Sequence, residues 1–436
     1  MESFAITLAK NGFIAVTFDY YGHGRHREPL RGDVTSVEGA TQTLLAQTAE
    51  VVEFALALPD ANGDLALLGH SMASDIIVRY AQRDPRVDAT IAVSMFSPAV
   101  TPDSPQNLLV IVGGLEGMLK KEALRVLSLV TDDPQPGVSV SNPKTGDLRR
   151  VAFAEGVEHV GVLYSHKSMV ESLNWLSNLY DLDSSREIPQ RGPWIALLLA
   201  GLLTLAWPLS RALPVVSTTP RGASLAWRRL LPAALVPAIA TPLMLFWFPA
   251  DFLGVLVGGY LAVHFALYGL LSMLCLWWLR RGEPERPSTT HPVRLGIAAL
   301  LATLYTAGVI GFALDSYVTS FAIAPMRWPL FVVMLAGTLS YFLCDEWLTH
   351  GTSTPGGGHL FTRFCFLLSL GIAVALSFED LMFLLIIAGV IVIYFLVYGM
   401  FSRWIYQRTG HPAVGAIANA IAFAIALTAV FPVMSG

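Results

Sequence analysis

A serine at position 71 sits in the run Gly69-His70-Ser71-Met72-Ala73. An apolar stretch, 65–69, precedes it, and an amphipathic helical pattern, 72–83, follows it. A serine on so sharp a strand-to-helix turn takes a strained backbone, and small residues two before and two after it relieve the crowding. The turn lifts the hydroxyl above a sheet edge. It also aims the N–H of Met72 at the charge that develops on an attacked carbonyl oxygen. The chemistry this arrangement suits is nucleophilic acyl transfer, with Ser71 as nucleophile and the Met72 N–H as oxyanion donor. Glycine usually closes this pattern, and Ala73 is a small replacement for it.

The elements around the motif alternate. Strand candidates are 13–19, 65–69, 88–95, 107–113 and 149–154, rich in apolar and β-branched residues. Helical patterns fill the intervals at 35–58, 72–83, 119–130 and 166–180. Strand–helix alternation with short turns predicts an α/β domain built on a parallel sheet.

At the end of the first strand candidate the sequence reads Phe18-Asp19-Tyr20-Tyr21-Gly22-His23-Gly24. With the serine motif about fifty residues on, this part of the chain resembles the α/β-hydrolase superfamily, nearest its lipase/esterase-like and serine-aminopeptidase-like members. The resemblance implies the chain order nucleophile, acid, histidine. By that order the acid is Glu116, in Gly113-Gly114-Leu115-Glu116-Gly117, and the histidine is His159, in Glu155-Gly156-Val157-Glu158-His159. The imidazole would take the Ser71 proton, and the carboxylate would orient it and stabilise the imidazolium. His166, seven residues later, is the alternative base, and His23 has a structural or cleft-lining place. The resemblance implies an ester, thioester or peptide-like acyl substrate, with no metal and no organic cofactor. The dozen residues between strands 88–95 and 107–113 leave no room for the lid many lipases insert there.

Composition divides the chain. It is 54% hydrophobic and 14% charged, with a mean hydropathy of +0.57, against roughly 25% charge in ordinary soluble domains. Residues 1–192 carry a net charge of −8, and residues 193–436 carry +4 with no lysine. The expected organisation is an α/β-hydrolase-like domain over 1–185, a linker over 186–193 and an all-α polytopic membrane bundle over 194–436. A spanning helix needs ~20 apolar residues. Eight stretches qualify, at 194–213, 230–248, 252–279, 295–314, 328–348, 361–378, 381–401 and 412–433. The lipid bilayer is therefore an expected partner. Nucleic acid is not, because the arginines stand in short clusters between apolar runs.

The connections after the first, third, fifth and seventh spans hold 11 arginines, and the remaining connections hold only Arg327. The positive-inside bias puts the arginine-rich connections in the cytoplasm. Residues 1–192 are then expected on the outer, periplasmic side of a bacterial-type inner membrane. Two features stand apart from that picture. The chain opens without an export signal, and the early strands and His-Gly loop that the superfamily implies do not precede residue 13. An incomplete sheet and an internal-methionine start of a longer protein are the expectations. Without the third strand that the superfamily's order puts between 13–19 and the serine strand, those two would face each other across a gap of ~10 Å, twice the ~4.8 Å spacing. With Met72 as the single oxyanion donor, catalysis would be weakened by ~10²–10³.

Two rival functions stay open. One is a membrane scaffold or transporter-like bundle with a decayed hydrolase domain. The other is an intramembrane protease: Asp345, Glu346 and His350, with His411 and Asn419, resemble the pattern of CAAX-type proteases. The arginine usual after the acidic pair is replaced here by His350.

Overall fold

Strands 89–93 and 108–112 alternate their side chains between two apolar layers, as the period of two in a strand requires. Ile91, Val93, Leu109 and Ile111 face a core completed by Phe4, Met169 and Leu176. Ala92, Leu108, Val110 and Val112 face another completed by Val78, Ala123, Val126 and Leu127. A sheet buried on both faces must carry helices on both, which is why these strands read as continuous apolar runs. The structure, a computed structural model, describes residues 1–34, 36–182, 187–247, 257–281 and 290–435. The chain divides into two units, residues 1–21 with 31–196, and residues 22–30 with 197–436.

In the first unit, helices α1 (Glu2–Ala9) and α2 (Ala40–Leu56) lead to β1 (Leu65–His70), α3 (Met72–Ala81), β2 (Val87–Val93) and β3 (Leu108–Gly113). Then come α4 (Gly117–Ser128), β4 (Ser139–Ser141), β5 (Leu148–Ala154) and α5 (His166–Leu179). The sheet order is β1-β2-β3-β5-β4. The first four strands pair in parallel, with Leu68 opposite Ile91 and Val110 opposite Val151. β4 joins β5 antiparallel. All four parallel strands therefore end at one carboxyl edge.

Two differences from the sequence expectation follow from pairing. Residues 13–19 form no strand, and β1 is an edge of the sheet. Among the described residues no strand lies beside β1 on that side, so the apolar run 13–19 finds no ladder to join. The short β4 is the converse. Asn142 N–H bonds the Asp147 carbonyl at 2.8 Å, closing a hairpin through Asn-Pro-Lys-Thr-Gly-Asp that composition alone did not mark as strand-forming.

The second unit is helical. Among the described residues, eight helices are long and apolar enough to cross a membrane, as in an integral membrane protein. They are α6 (Arg191–Ser210), α7 (Trp227–Leu245), α8 (Gly258–Leu279), α9 (Pro292–Tyr317), α10 (Pro325–Leu348), α11 (Gly358–Leu376), α12 (Phe383–Thr409) and α13 (Pro412–Val430). Helix α9 contains a π-helical turn over Leu304–Val309. Glycines set the closest approach. A Cβ on Gly337 would stand 2.3 Å from the Ala262 oxygen, and one on Gly269 would stand 2.4 Å from the Ser340 carbonyl carbon. Small residues at helix crossings of this kind let backbones pack tightly where no water is available to drive association.

Six arginines expected in the arginine-rich connections lie on helices, among them Arg228 and Arg229 in the first turn of α7 and Arg294 in the first turn of α9. Arg363 is buried on α11, and Arg403 and Arg408 ride the last turns of α12, which runs on to Thr409. The reason for Arg363 is charge pairing, described below. Arg286, residues 252–256 of the third stretch and residue 248 of the second lie outside the described residues, as do residues 183–186 at the expected boundary with the linker.

Arg327, expected in the connection before the fifth span, lies in the first turn of α10 and is 1% exposed. Its guanidinium donates to the carbonyls of Thr428 (2.7 Å), Phe431 and Gly22 (2.6 Å). The Gly22 carbonyl also accepts from Val433 N–H at 2.9 Å, and Leu30 N–H bonds the Val433 carbonyl at 2.8 Å. Gly22 has φ +73, and a Cβ there would meet the Val433 oxygen at 2.4 Å. Segment 22–30, which includes His23, is thus held by residues of the helical unit. Arg327→Ala takes a charged donor from three carbonyls, of which that of Gly22 keeps its bond from Val433 N–H. It is expected to destabilise this unit by about 3 kcal/mol, read as a lowered melting temperature of detergent-solubilised protein. Arg327→Lys should not restore it, since one ammonium cannot reproduce the planar fork.

Candidate functional site

Ser71 stands between β1 and α3 with φ 56 and ψ −122. A non-glycine residue in this region costs of the order of 1–3 kcal/mol and persists only where its surroundings impose it. Here they do. Ser71 N–H bonds the Val93 carbonyl at 2.9 Å, and the Ser71 carbonyl accepts from Ser74 N–H at 2.9 Å and from the Ser74 hydroxyl. A Cβ on Gly69 would lie 2.7 Å from the Ala73 oxygen. Only glycine fits two residues before the serine, while Ala73 keeps its methyl two residues after. Met72 opens α3, so its N–H is among those with no acceptor within the helix.

The turn after β3 is shaped by Gly113 and Gly114. A Cβ on Gly113 would meet the Val157 oxygen at 2.7 Å, and one on Gly114 would meet the Glu155 Cα at 2.9 Å. Without these side chains the turn packs flat against the loop that follows β5, and Leu115 N–H bonds the Val157 carbonyl at 3.1 Å. Glu116 and His159 are thereby brought to one place. His159 Nδ1 lies 2.5 Å from Glu116 Oε1, and His159 Nε2 lies 3.0 Å from Ser71 Oγ. The loop is stiffened from within. Glu158 accepts from Val160 N–H at 2.7 Å and Gly161 N–H at 2.8 Å.

Glu116 is a nearly buried carboxylate with a full set of partners. Burial opposes its ionisation. Hydrogen bonds from His159, from the Ser94 hydroxyl (2.6 Å) and from Gly113 N–H (2.7 Å) outweigh that, and its pKa falls below the ordinary glutamate value. A carboxylate so held stays charged opposite Nδ1, the condition for stabilising an imidazolium.

Two residues that the sequence did not single out support this chain. Ser94, just after β2, has φ 49 and places its hydroxyl on Glu116. A hydroxyl at the carboxyl end of the strand beside the acid's own strand was the available signal. His70 Nε2 lies 2.9 Å from the His159 carbonyl, and the two rings stand 4.7 Å apart. Burial first, then repulsion from His159, lowers the His70 pKa to about 4. His70 is therefore neutral at pH 7 and donates its Nε2–H, tying the histidine loop to the serine strand. His166 opens α5 and is exposed.

The groups of the suspected intramembrane protease are engaged otherwise. Glu346 pairs with Arg363 at 3.0 Å, and His411 accepts Ala413 N–H as the cap of α13.

Residues 1–162 match the family described as serine aminopeptidase, S33. The first unit is an α/β-hydrolase domain. No curated protein and no solved structure matches the chain. The match covers the serine turn, the acid turn and the histidine loop. The domain is a serine hydrolase-type α/β fold followed by a helical region with eight candidate membrane helices.

His70 has a sign-specific effect on stability. Its folded pKa of about 4 lies below the ordinary 6.5, so the unfolded chain binds the proton first on acidification. Its contribution is whole above pH 6.5 and is lost as pH falls toward 4. His70→Gln, which can keep the donor without the titration, is expected to flatten the pH dependence of thermal unfolding across that window.

Proposed function

We propose that the chain is a membrane-anchored serine hydrolase using Ser71, His159 and Glu116. The observation that carries this is the unbroken hydrogen-bonded series from Ser71 Oγ through His159 to Glu116, built on a strained turn. Ser71 Oγ attacks the acyl carbon while His159 Nε2 takes its proton. The carbonyl π pair moves to oxygen, where the Met72 N–H meets it. Collapse expels the leaving group, which takes the proton from His159, and leaves an acyl-serine. Water then attacks that ester, again giving its proton to His159, and the acid product departs with Ser71 restored. Glu116 remains ionised and holds the ring throughout. These steps use side chains and backbone alone.

The substrate class is an ester, thioester or peptide-like acyl compound with an apolar acyl group. Met72, Phe96, Leu115, Met118 and Val160 are all exposed large apolar residues. Each follows a strand of the parallel sheet at its carboxyl edge, within a few residues of Ser71, Ser94, Glu116 or His159. Such a rim suits a hydrocarbon chain better than a charged one. The arginine clusters of the membrane half favour placing the hydrolase domain on the outer side. Arg211, Arg221, Arg228, Arg229, Arg280, Arg281 and Arg294 carry that asymmetry without Arg363.

Hydrolysis of nitrophenyl esters by the detergent-solubilised full chain tests the reading. Ser71→Ala should lower kcat/KM by roughly 10⁴–10⁶ and Glu116→Gln by about 10³–10⁴, mainly in kcat. Medium-chain esters should be preferred to acetate. Equal hydrolysis by wild type and Ser71→Ala would refute the assignment.

A further inference from the structure

Near the C-terminal end of α10 the membrane half buries a group of charges that do not balance locally. Asp345 and Glu346 on α10 are 4% and 1% exposed, and Arg363 on α11 is 5% exposed. Arg363 bonds Glu346 at 3.0 Å and the Phe395 carbonyl at 2.7 Å. A Cβ on Gly399 would collide with this guanidinium, so the glycine makes room for it. With both carboxyls ionised, one arginine leaves one negative charge uncompensated. Isolated charge inside a bilayer is costly and is neutralised by a partner or a bound ion.

Each carboxyl keeps one oxygen without a hydrogen-bond partner, Asp345 Oδ2 and Glu346 Oε2, and of the two residues only Asp345 lines a cavity. Its Oδ1 accepts from the Thr362 hydroxyl. Its Oδ2 has no hydrogen-bond partner, and Arg363 Nε is 3.5 Å away. Asp345 also lines a cavity of about 10 Å³ together with Tyr268, Ser272, Tyr341 and Thr362. That is close to the smallest space that admits one water. Tyr341, 1% exposed, lines the same cavity with a hydroxyl that likewise has no partner. Every polar side chain around the space offers oxygen, the donor set of hard cations rather than of transition metals.

We propose that the cavity beside Asp345 is a site for a single monovalent cation, with Asp345 Oδ2 as its charged ligand and the hydroxyls of Tyr341, Ser272 and Thr362 as neutral ones. One positive charge there makes the buried group neutral. The occupant is sodium, and protonation of Asp345 is the competing way to remove the charge that the test must separate from it. The titratable groups facing Asp345 are Glu346, Tyr341 and Cys344 on its own helix, His350 just beyond it, Tyr268 on α8, and His359, Arg363 and Cys365 on α11. His350, outside the span, is held neutral by burial, with a pKa of about 4, and does not supply the missing charge at neutral pH. The site is separate from the Ser71 chemistry and stands or falls without it.

Thermal unfolding of the full chain in detergent tests the site, in sodium, potassium or choline chloride at equal ionic strength. Sodium should raise the melting temperature of wild type above its value in choline. The rise should be absent in Asp345→Asn and reduced in Tyr341→Phe. Asp345→Asn should be at least as stable as wild type in choline, since it removes the uncompensated charge. A wild type that ignores sodium but gains stability as pH falls, while Asp345→Asn does not, would mean a protonated carboxyl in place of a cation and overturn the site. A wild-type melting temperature indifferent to the cation overturns the proposal, whether or not the variants fold.

Discussion

The backbone of Ser71 is bent into a conformation that an L-residue adopts only under compulsion, with φ 56. Two neighbours make the bend sterically possible. Gly69 has no side chain to strike the Ala73 carbonyl, and the Ser74 hydroxyl fastens the Ser71 carbonyl from the following helix. The last strand residues lead straight into α3 because of that bend. Were Ser71 to relax into the β or α region, the hydroxyl would leave the sheet edge and the histidine would have nothing to face. Strain of about 1–3 kcal/mol is therefore concentrated at the residue proposed as nucleophile.

The partners of Ser71 come from turns that must approach one another, and backbone economy brings them together. Gly113 and Gly114 admit the loop after β5. Glu158 caps the turn that follows His159. His70, neutral and next to Ser71 in sequence, grips the His159 carbonyl. A neutral neighbour suits the proposed mechanism, in which His159 takes a proton that a second cation 4.7 Å away would oppose. Glu116, drawn below the usual carboxylate range by three donors, provides the opposite charge on the other side of the ring. The electrostatic environment is thus arranged before any substrate arrives.

How much of this was legible in the sequence varies with the kind of information each residue carries. The serine turn was legible because its small residues and flanking periodicities are local. Glu116 and His159 were placed by chain order, since both follow a recognisable apolar strand, and the structure puts them in line with Ser71. Ser94 and His70 were not singled out, because a serine after a strand and a histidine before one look ordinary until the third dimension shows what they touch. Residues 13–19 have strand composition yet no ladder, a reminder that a strand is defined by its neighbour. Arg363 was taken for a loop cation because charge in an apolar half suggests an aqueous boundary. Its two carboxylate partners lie 17 and 18 positions earlier, on another helix, and only packing reveals that the three charges share one buried place.

The most direct test of the central claim is covalent labelling of the folded full chain with a fluorophosphonate, followed by mass measurement of the peptide that contains residue 71. A phosphonyl adduct on Ser71, absent in Ser71→Ala and formed far more slowly in Glu116→Gln, is the expected result. Folded protein that remains unlabelled at Ser71, or labels equally fast without Glu116, would contradict it.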